Sequence, residues 1–378
     1  MTIETVKGFR DYSGKEAWNR KKTEKTIVET FESYGFEPAE TPIIEREEFV
    51  KGENANDEAV SDIFKLNDKG DRKLALRYEF TFQLRRLAKN KKLPYKRFQI
   101  GPVFRDEPVS SNRIRQFTQC DVDTVGSTIK EEAEILSLTN EVFEKLGIKP
   151  MILVNNRKLL NEILDDNNVD KKNRERVLKE IDKYDKLPEK EVKKNLERFK
   201  AAKIIDLLKK GEKYFSKFQG YKEIKSLIEC CKLFGLKILF SPTVVRGLSY
   251  YNGNVFEIKT QGIKETIAGG GSYLIDQTQA TGISFGLERI SSLVKDVVGK
   301  EKTLVISLEK DKEAIKLTQK IRERGEIVSI YYGKPSKALD YANSYEFEKV
   351  VFVGEKEVKA KKFMIKDMKT GKESVLKI

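Results

Sequence analysis

The chain has 378 residues, room for two or three domains and a sizeable core, with 74 Lys and Arg against 60 Asp and Glu, a net charge of +14. That surplus favours a polyanionic partner through counterion release. There is no histidine, which excludes histidine-ligated metal, histidine general bases and every nucleophile that a histidine would activate.

Any chemistry must therefore run on carboxylates, guanidinium groups, backbone dipoles and metal held by a substrate. Cys120, Cys230 and Cys231 form no C-x-x-C pair. They point to a reducing cytoplasm, with neither a disulfide framework nor a zinc site. Residues 1 to 7 lack the apolar stretch of a leader, and no apolar run of about 18 residues follows. A soluble, cytoplasmic protein without a membrane segment is expected.

Residues 16 to 34 read as an amphipathic helix, with Ile27, Val28, Phe31 and Tyr34 at helical spacing and Gly35 as the stop. Residues 36 to 44 are strand-like but carry Pro38 and Pro42, which suits an edge or an interface. A helix is expected over 79–90, strands over 96–105 and 115–123, and a helix over 130–146 that buries Ile135, Leu138, Val142 and Leu146. From about 155 to 235 the chain is dense in Lys, Asp and Glu with helical periodicity, broken by a turn at Asp182–Leu187; this reads as an inserted helical domain. Strands resume at 237–240 and 251–260. The run Gly269–Gly271 follows, then a helix with Ile283, Leu287, Ile290, Val294 and Val297 on one stripe. Beyond residue 300 the pattern is βαβαβ: strands at 304–308, 327–332 and 350–353, helices at 311–324 and 336–345. Two more strands are expected around 362–366 and 374–377. Neither glycine-rich phosphate fingerprint of the dinucleotide-binding and P-loop folds is present.

Three stretches carry chemistry. Phe104-Arg105-Asp106-Glu107 and Arg113-Ile114-Arg115-Gln116-Phe117-Thr118-Gln119 read as strand, polar loop, strand, with Pro108, Ser110, Ser111 and Asn112 in the loop. Guanidinium groups on such a hairpin grip phosphate oxygens through paired N–H bonds, and Arg289 arrives later on a helix. Alternation puts Phe117, Gln119, Asp121 and Asp123 on one face, a ligand floor more than a core. Arg77-Tyr78-Glu79-Phe80-Thr81 adds a carboxylate and a hydroxyl at a strand-to-helix junction, where helix capping is the competing account. In the third stretch, Val245 to Gly253, Arg246 stands near Tyr250 and Tyr251, and Gly247 and Gly253 let backbone approach a ligand.

The hairpin and Gly286-Leu287-Glu288-Arg289 resemble motifs 2 and 3 of the class II aminoacyl-tRNA synthetases. The phrase Arg246-Gly247-Leu248-Ser249-Tyr250-Tyr251 resembles a histidine-specific motif, R-G-L-D-Y-Y, of the histidyl-tRNA synthetases. The resemblance runs along nearly the whole chain. Lys7 to Asp11 is similar to that family's opening phrase, and Glu40 to Ile43 to motif 1, whose proline lies in the dimer interface. Asn155 to Arg157 and Asp182-Lys183 resemble the edges of its inserted domain. Ala268 to Gly271 with Tyr273 resembles its second histidine-specific motif, and residues 301–378 its anticodon-binding domain.

What the resemblance implies is an α+β catalytic domain with an antiparallel sheet over residues 1–155 plus 236–298. It also implies an inserted helical domain over 156–235 and an anticodon-binding α/β domain over 300–378. It implies a histidine–tRNA ligase that forms histidyl-adenylate from histidine and ATP and passes it to the 3′ end of tRNA(His), as a homodimer. ATP is then a substrate, with Mg2+ held through its phosphates rather than in a protein site. Glu79, Thr81 and Gln119 would hold the ammonium group; Asp123 and Tyr251 the imidazole, with Tyr250 and Tyr273 beside them. Arg105 would take the α-phosphate and Arg289 the γ-phosphate, with Glu107 in the ATP site, and Arg246 would meet the reacting carboxylate and phosphate oxygens. Arg105 and Arg246 are the expected catalytic pair, and Arg113 and Arg115 the expected contacts to the tRNA acceptor end. Tyr78, Ser249, Ser272 and Leu274 depart from the family pattern, in or near the expected histidine pocket. The alternative is a non-catalytic regulatory paralogue of histidine biosynthesis that binds histidine; such paralogues as a rule lack an anticodon-reading domain.

Overall fold

The computed structural model describes residues 3–52, 60, 62–110, 113–246, 250–294 and 301–376. Ser111, Asn112, Gly247, Leu248, Ser249 and Val297, and the junction at 295–300, lie outside the described residues. The chain forms two compact units, Met1–Lys295 and Asp296–Ile378.

The first unit is built on an eight-stranded sheet. Its strands are β1 (Glu37–Pro38), β5 (Tyr95–Phe104), β6 (Gln116–Val125), β11 (Thr278–Gly286), β10 (Ala268–Ile275), β9 (Tyr251–Thr260), β7 (Pro150–Asn156) and β8 (Leu239–Phe240), in that spatial order. The six inner strands pair antiparallel, and only the two short outer strands run parallel to their neighbours. Pro38 therefore sits on an edge, where its missing N–H costs no ladder bond. A separate three-stranded sheet comprises β2 (Ile44–Arg46), β3 (Lys65–Asn67) and β4 (Lys73–Leu76).

The two faces of the large sheet differ because side chains alternate. One face is apolar: Phe98, Cys120, Val122, Phe256, Ile283 and Phe285 pack with Ile27 and Phe31 of α1 (Gly14–Ser33) and with Leu136, Leu138 and Phe143 of α4 (Ile129–Lys145). The alternate positions Arg97, Gln119, Asp121, Asp123, Gly282 and Ser284 fall on the other face. Helix α4 begins with a full capping box, Thr128 and Glu131 satisfying each other's backbone donors. Two short helices, α2 (Glu47–Lys51) and α3 (Thr81–Ala88), flank the small sheet and the site.

Between β7 and β8 the chain makes six α-helices, α5 (Arg157–Asp166), α6 (Arg174–Ile181), α7 (Glu189–Glu197), α8 (Lys203–Leu208), α9 (Glu212–Phe215) and α10 (Gln219–Leu233), and one 3-10 turn at Lys171–Asn173. Their apolar residues, among them Leu159, Ile163, Phe215 and Leu227, continue the core under the sheet. Among the described residues no helix is long and apolar enough to cross a membrane.

One expected helix is corrected. Ile283 lies in β11, and the helix that follows, α11, spans only Leu287–Leu293. The spacing of Ile283, Leu287 and Ile290 fits a helical stripe, but Ile283 and Phe285 alternate with Gly282, Ser284 and Gly286. This is the pattern of a central strand with small groups on one face.

In the second unit β12 (Lys302–Ser307), β13 (Ile327–Tyr332) and β14 (Lys349–Val353) are parallel, in the order β13-β12-β14, with α12 (Asp311–Glu323) and α13 (Pro335–Ser344) as crossovers. β15 (Met364–Asp367) and β16 (Glu373–Val375) extend it antiparallel. A short helix, α14 (Glu355–Ala360), was not legible in the sequence; it buries no residue and so leaves no apolar stripe.

Candidate active site

The site grows from the polar face of β6. In register, Asp123 stands opposite Arg97 on β5 and opposite Gly282 on β11, and Asp121 opposite Gln99 and Ser284. Gly282 is required there: a Cβ would come within 1.9 Å of Asp123 Oδ1. Asp123 Oδ1 accepts a hydrogen bond from the buried hydroxyl of Tyr273 on β10. Gln119 Nε2 donates to Asp121 Oδ2 at 2.9 Å.

The wall comes from the chain just before α3. That helix starts without any side-chain cap, so neither Glu79 nor Thr81 is spent on capping. Both line the cavity instead. Tyr250 bridges them, its hydroxyl 3.5 Å from Thr81 Oγ1 and 3.5 Å from Glu79 Oε2. Its ring packs against Tyr251 and Tyr273 at centroid distances of 4.8 and 5.5 Å.

Two cations line the same cavity. Arg105 lies over the Phe117 ring, 5.0 Å from its centroid, and donates to the Tyr78 carbonyl at 3.2 Å. Arg246 has φ +61°, a positive value that residues other than glycine adopt uncommonly. Its guanidinium presses on bare backbone: a Cβ at Gly269 would stand 2.5 Å from Arg246 Cζ. Its ion pair with Glu257 is long, at 3.5 Å.

These groups surround a cavity of about 90 Å³. It brings together Arg105 and all eight residues expected at the histidine site: Glu79, Thr81, Gln119, Asp123, Arg246, Tyr250, Tyr251 and Tyr273. Glu107, Arg113, Arg115 and Arg289 are not among its lining residues. Arg113 lies 3.5 Å from Glu107, and Arg115 pairs with Asp106 at 3.0 Å. Arg289 donates to the Thr266 carbonyl. Burial lowers its pKa, and it feels the charges of Glu265 and Arg113, so α11 and the hairpin loop approach each other.

The departures Ser272, Leu274 and Tyr78 do not line the cavity. Alternation along β10 turns Tyr273 inward and its neighbours away. Ser272 donates to the buried Glu132 of α4, and Leu274 is half exposed. Tyr78 is buried and stacks on Phe82 at 5.8 Å.

Burial dominates the electrostatics. It raises Glu79 to about 8, against the pull of Arg105 and with the repulsion of Asp121 and Asp123. Asp121 and Asp123 are also raised by burial, and in both the positive charge of Arg97 opposes the rise. Burial holds the Tyr250 and Tyr273 phenols protonated as hydrogen-bond donors. The cavity thus combines carboxyl and phenol groups, suited to a cationic or N–H-bearing group, with two guanidinium groups suited to an anion. Asp121 was visible on the predicted face but was given no role. Arg97 was missed, because nothing in one sequence tells which residue of β5 stands opposite Asp123.

Residues 8–290 match the family model described as "Histidyl-tRNA synthetase". Among curated relatives, "Histidine--tRNA ligase 1" of Bacillus anthracis is 32% identical over 99% of this chain and 97% of its own length. "Histidine--tRNA ligase 2" of Shouchella clausii is 33% identical over 98% and 97%. The histidyl-tRNA synthetase structure from Nostoc sp. PCC 7120 superimposes with a TM-score of 0.85 at 25% identity, covering 100% of this chain and 97% of that one. A Bacillus halodurans structure described as an ATP phosphoribosyltransferase regulatory subunit/histidyl-tRNA synthetase shares the fold, with a TM-score of 0.80 at 22% identity over 93% of this chain and 98% of that one. On the family match and these near-full-length identities, the chain belongs to the histidyl-tRNA synthetase family and is an aminoacyl-tRNA ligase.

Proposed function

We propose that the protein is a cytoplasmic, homodimeric histidine–tRNA ligase that activates histidine with ATP and esterifies it to the terminal ribose of tRNA(His). The observation that carries this reading is the mixed lining of the cavity: Glu79, Gln119, Asp123 and three tyrosines together with Arg105 and Arg246. Histidine has a cationic ammonium and an N–H-bearing ring, and both suit the carboxyl and phenol groups. Its carboxylate then points toward the guanidinium groups, where the α-phosphate of ATP would be gripped.

Histidine's carboxylate oxygen attacks the α-phosphorus and pyrophosphate leaves. The attacking group is already ionised, so no protein base is needed in that step. What the protein supplies is alignment and stabilisation of the charge that builds on the phosphate. Arg105 and Arg246 fill that role, with Arg289 holding the far phosphate and Glu107 near the nucleotide. In the second step a ribose hydroxyl attacks the adenylate's carbonyl carbon and AMP leaves, with Arg113 and Arg115 of the hairpin steadying the acceptor end. Mg2+ would arrive with ATP and be held through its phosphates, adding charge neutralisation there.

Histidine-dependent exchange of labelled pyrophosphate into ATP tests the reading. Exchange with histidine alone among the amino acids is the expected result. Histidine binding without exchange would move the protein to the regulatory class, and no exchange with any amino acid would end the ligase reading.

A further inference from the structure

Beside Asp123 on the same face of the sheet lies a cation that the proposed reaction does not yet use. Arg97 on β5 is completely buried. Its Nη2 lies 2.9 Å from Asp123 Oδ2, yet none of its three guanidinium nitrogens makes an aligned hydrogen bond among the described residues. Arginines kept as structural staples usually spread their five donors over carbonyls and carboxylates. Arg77 in this protein does so, donating to the carbonyls of Pro102 and Thr41 at 2.8 Å each. Arg97 is held by charge alone, directly across the ladder from Asp123.

We infer that Arg97 is a positioning residue for histidine recognition: it keeps Asp123 ionised and fixed, so that the floor presents a hydrogen-bond acceptor to the ligand's ring. The inference rests on the reading of the cavity as a histidine site. A protonated Asp123 would offer an O–H in place of an acceptor lone pair and would read the ring's N–H wrongly. Burial pushes Asp123 toward that state, and the charge of Arg97, followed by the hydrogen bond from Tyr273, opposes it. Asp121, two residues along β6, and Glu79 before α3 repel its charge. Gly282 on β11 contributes only backbone, and Tyr273 on β10 donates one hydrogen bond to Oδ1. Arg97 is the fixed charge at Oδ2.

Removing it should move protonation of Asp123, and with it Asp121, to higher pH, which gives the test. Histidine KM is measured in pyrophosphate exchange from pH 6 to 9 for wild type, Arg97→Met and Arg97→Lys. Taking the variant-to-wild-type ratio at each pH cancels titration of histidine itself. For Arg97→Met the ratio should be about tenfold or more at the acid end and shrink toward the alkaline end, with ATP KM and turnover at saturating histidine little changed. Adding Asp123→Asn should abolish the pH dependence of the ratio. Arg97→Lys keeps the charge and should track wild type within about threefold at every pH.

A ratio for Arg97→Met that is flat with pH would overturn the inference, as would equal losses for histidine and ATP. If Arg97→Met melts before it can be assayed, Arg97→Lys decides: a pH-independent loss of histidine affinity would assign Arg97 to packing. Absence of histidine-dependent exchange in the wild type would remove the underlying reading and this inference with it. Active wild type with a flat ratio removes the inference alone.

Discussion

Arg246 sits between two descriptions, an ion-pair partner of Glu257 and a group that meets charge developing on a phosphate. Its geometry separates them. The ion pair is 3.5 Å long, whereas the backbone at 246 is held left-handed and Gly269 gives up a side chain to admit the guanidinium. Arg246→Lys keeps the charge and loses the planar fork. Turnover in pyrophosphate exchange should fall on the order of 10²–10³-fold, while KM for ATP and histidine changes little, the mark of a contact made chiefly in the transition state. Thermal melting should be unaltered. A variant that melts well below wild type yet turns over normally in the cold would make Arg246 structural. At this scale the sequence was informative, because Arg105, Arg246 and the tyrosines stand in short, restrictive phrases. Arg97 stands in none; its meaning comes only from strand register.

At the scale of elements, the strands and helices with strong periodicity were readable and those without it were not. The hairpin β5–β6, helix α4 and the βαβαβ unit fall close to the expected spans. β11 is misread because its apolar spacing imitates a helix, and α2, β3, β4, β7, β10 and α14 were not legible. Sequence alone could not tell that Ser272 and Leu274 stand beside the pocket without lining it, because the β-bulge between Gly271 and Tyr273 and the facing of β10 are tertiary facts. Ser272 instead joins α4 to β9 and β10: Glu132 accepts from Ser272 and, at 2.6 Å, from Asn254. Burial raises Glu132 to about 7, against those two hydrogen bonds. A carboxyl with a folded pKa above its unfolded one binds protons more tightly when folded. Its stability contribution is greatest in acid, below the unfolded value, and is lost as pH rises toward about 7. Glu132→Gln mimics the neutral form, so it should raise the melting temperature by roughly 2–5 °C at pH 8 and by little at pH 5. A gain of the same size at both pH values would refute the ionisation argument. The hairpin loop makes a kinetic prediction. Arg113 is exposed and only loosely paired with Glu107, so Arg113→Ala should slow transfer to tRNA by about tenfold while adenylate formation changes little. Equal slowing of both steps would remove the acceptor-end role.

For the whole molecule, the +14 charge and the division into two units make separable predictions. Each unit has apolar clusters of its own: Ile27, Phe31, Leu138 and Phe285 with their neighbours in the first, Leu304, Val305, Leu317 and Val350 with theirs in the second. A chain ended at Val294 should therefore fold, and it contains every residue that lines the cavity. The proposed division of labour, amino-acid activation in the first unit and anticodon reading in the second, then separates in two assays. The shortened chain should keep histidine-dependent pyrophosphate exchange and lose most charging of tRNA(His). In the full chain, charging at subsaturating tRNA should fall about 10³-fold between about 50 and about 200 mM salt if six or more phosphates are neutralised on binding, while exchange barely responds. The two readouts check each other. A shortened chain that melts cooperatively but has lost exchange would mean that the second unit is needed for activation itself. Charging that is as insensitive to salt as exchange would mean that the basic surplus of this chain does not serve tRNA binding.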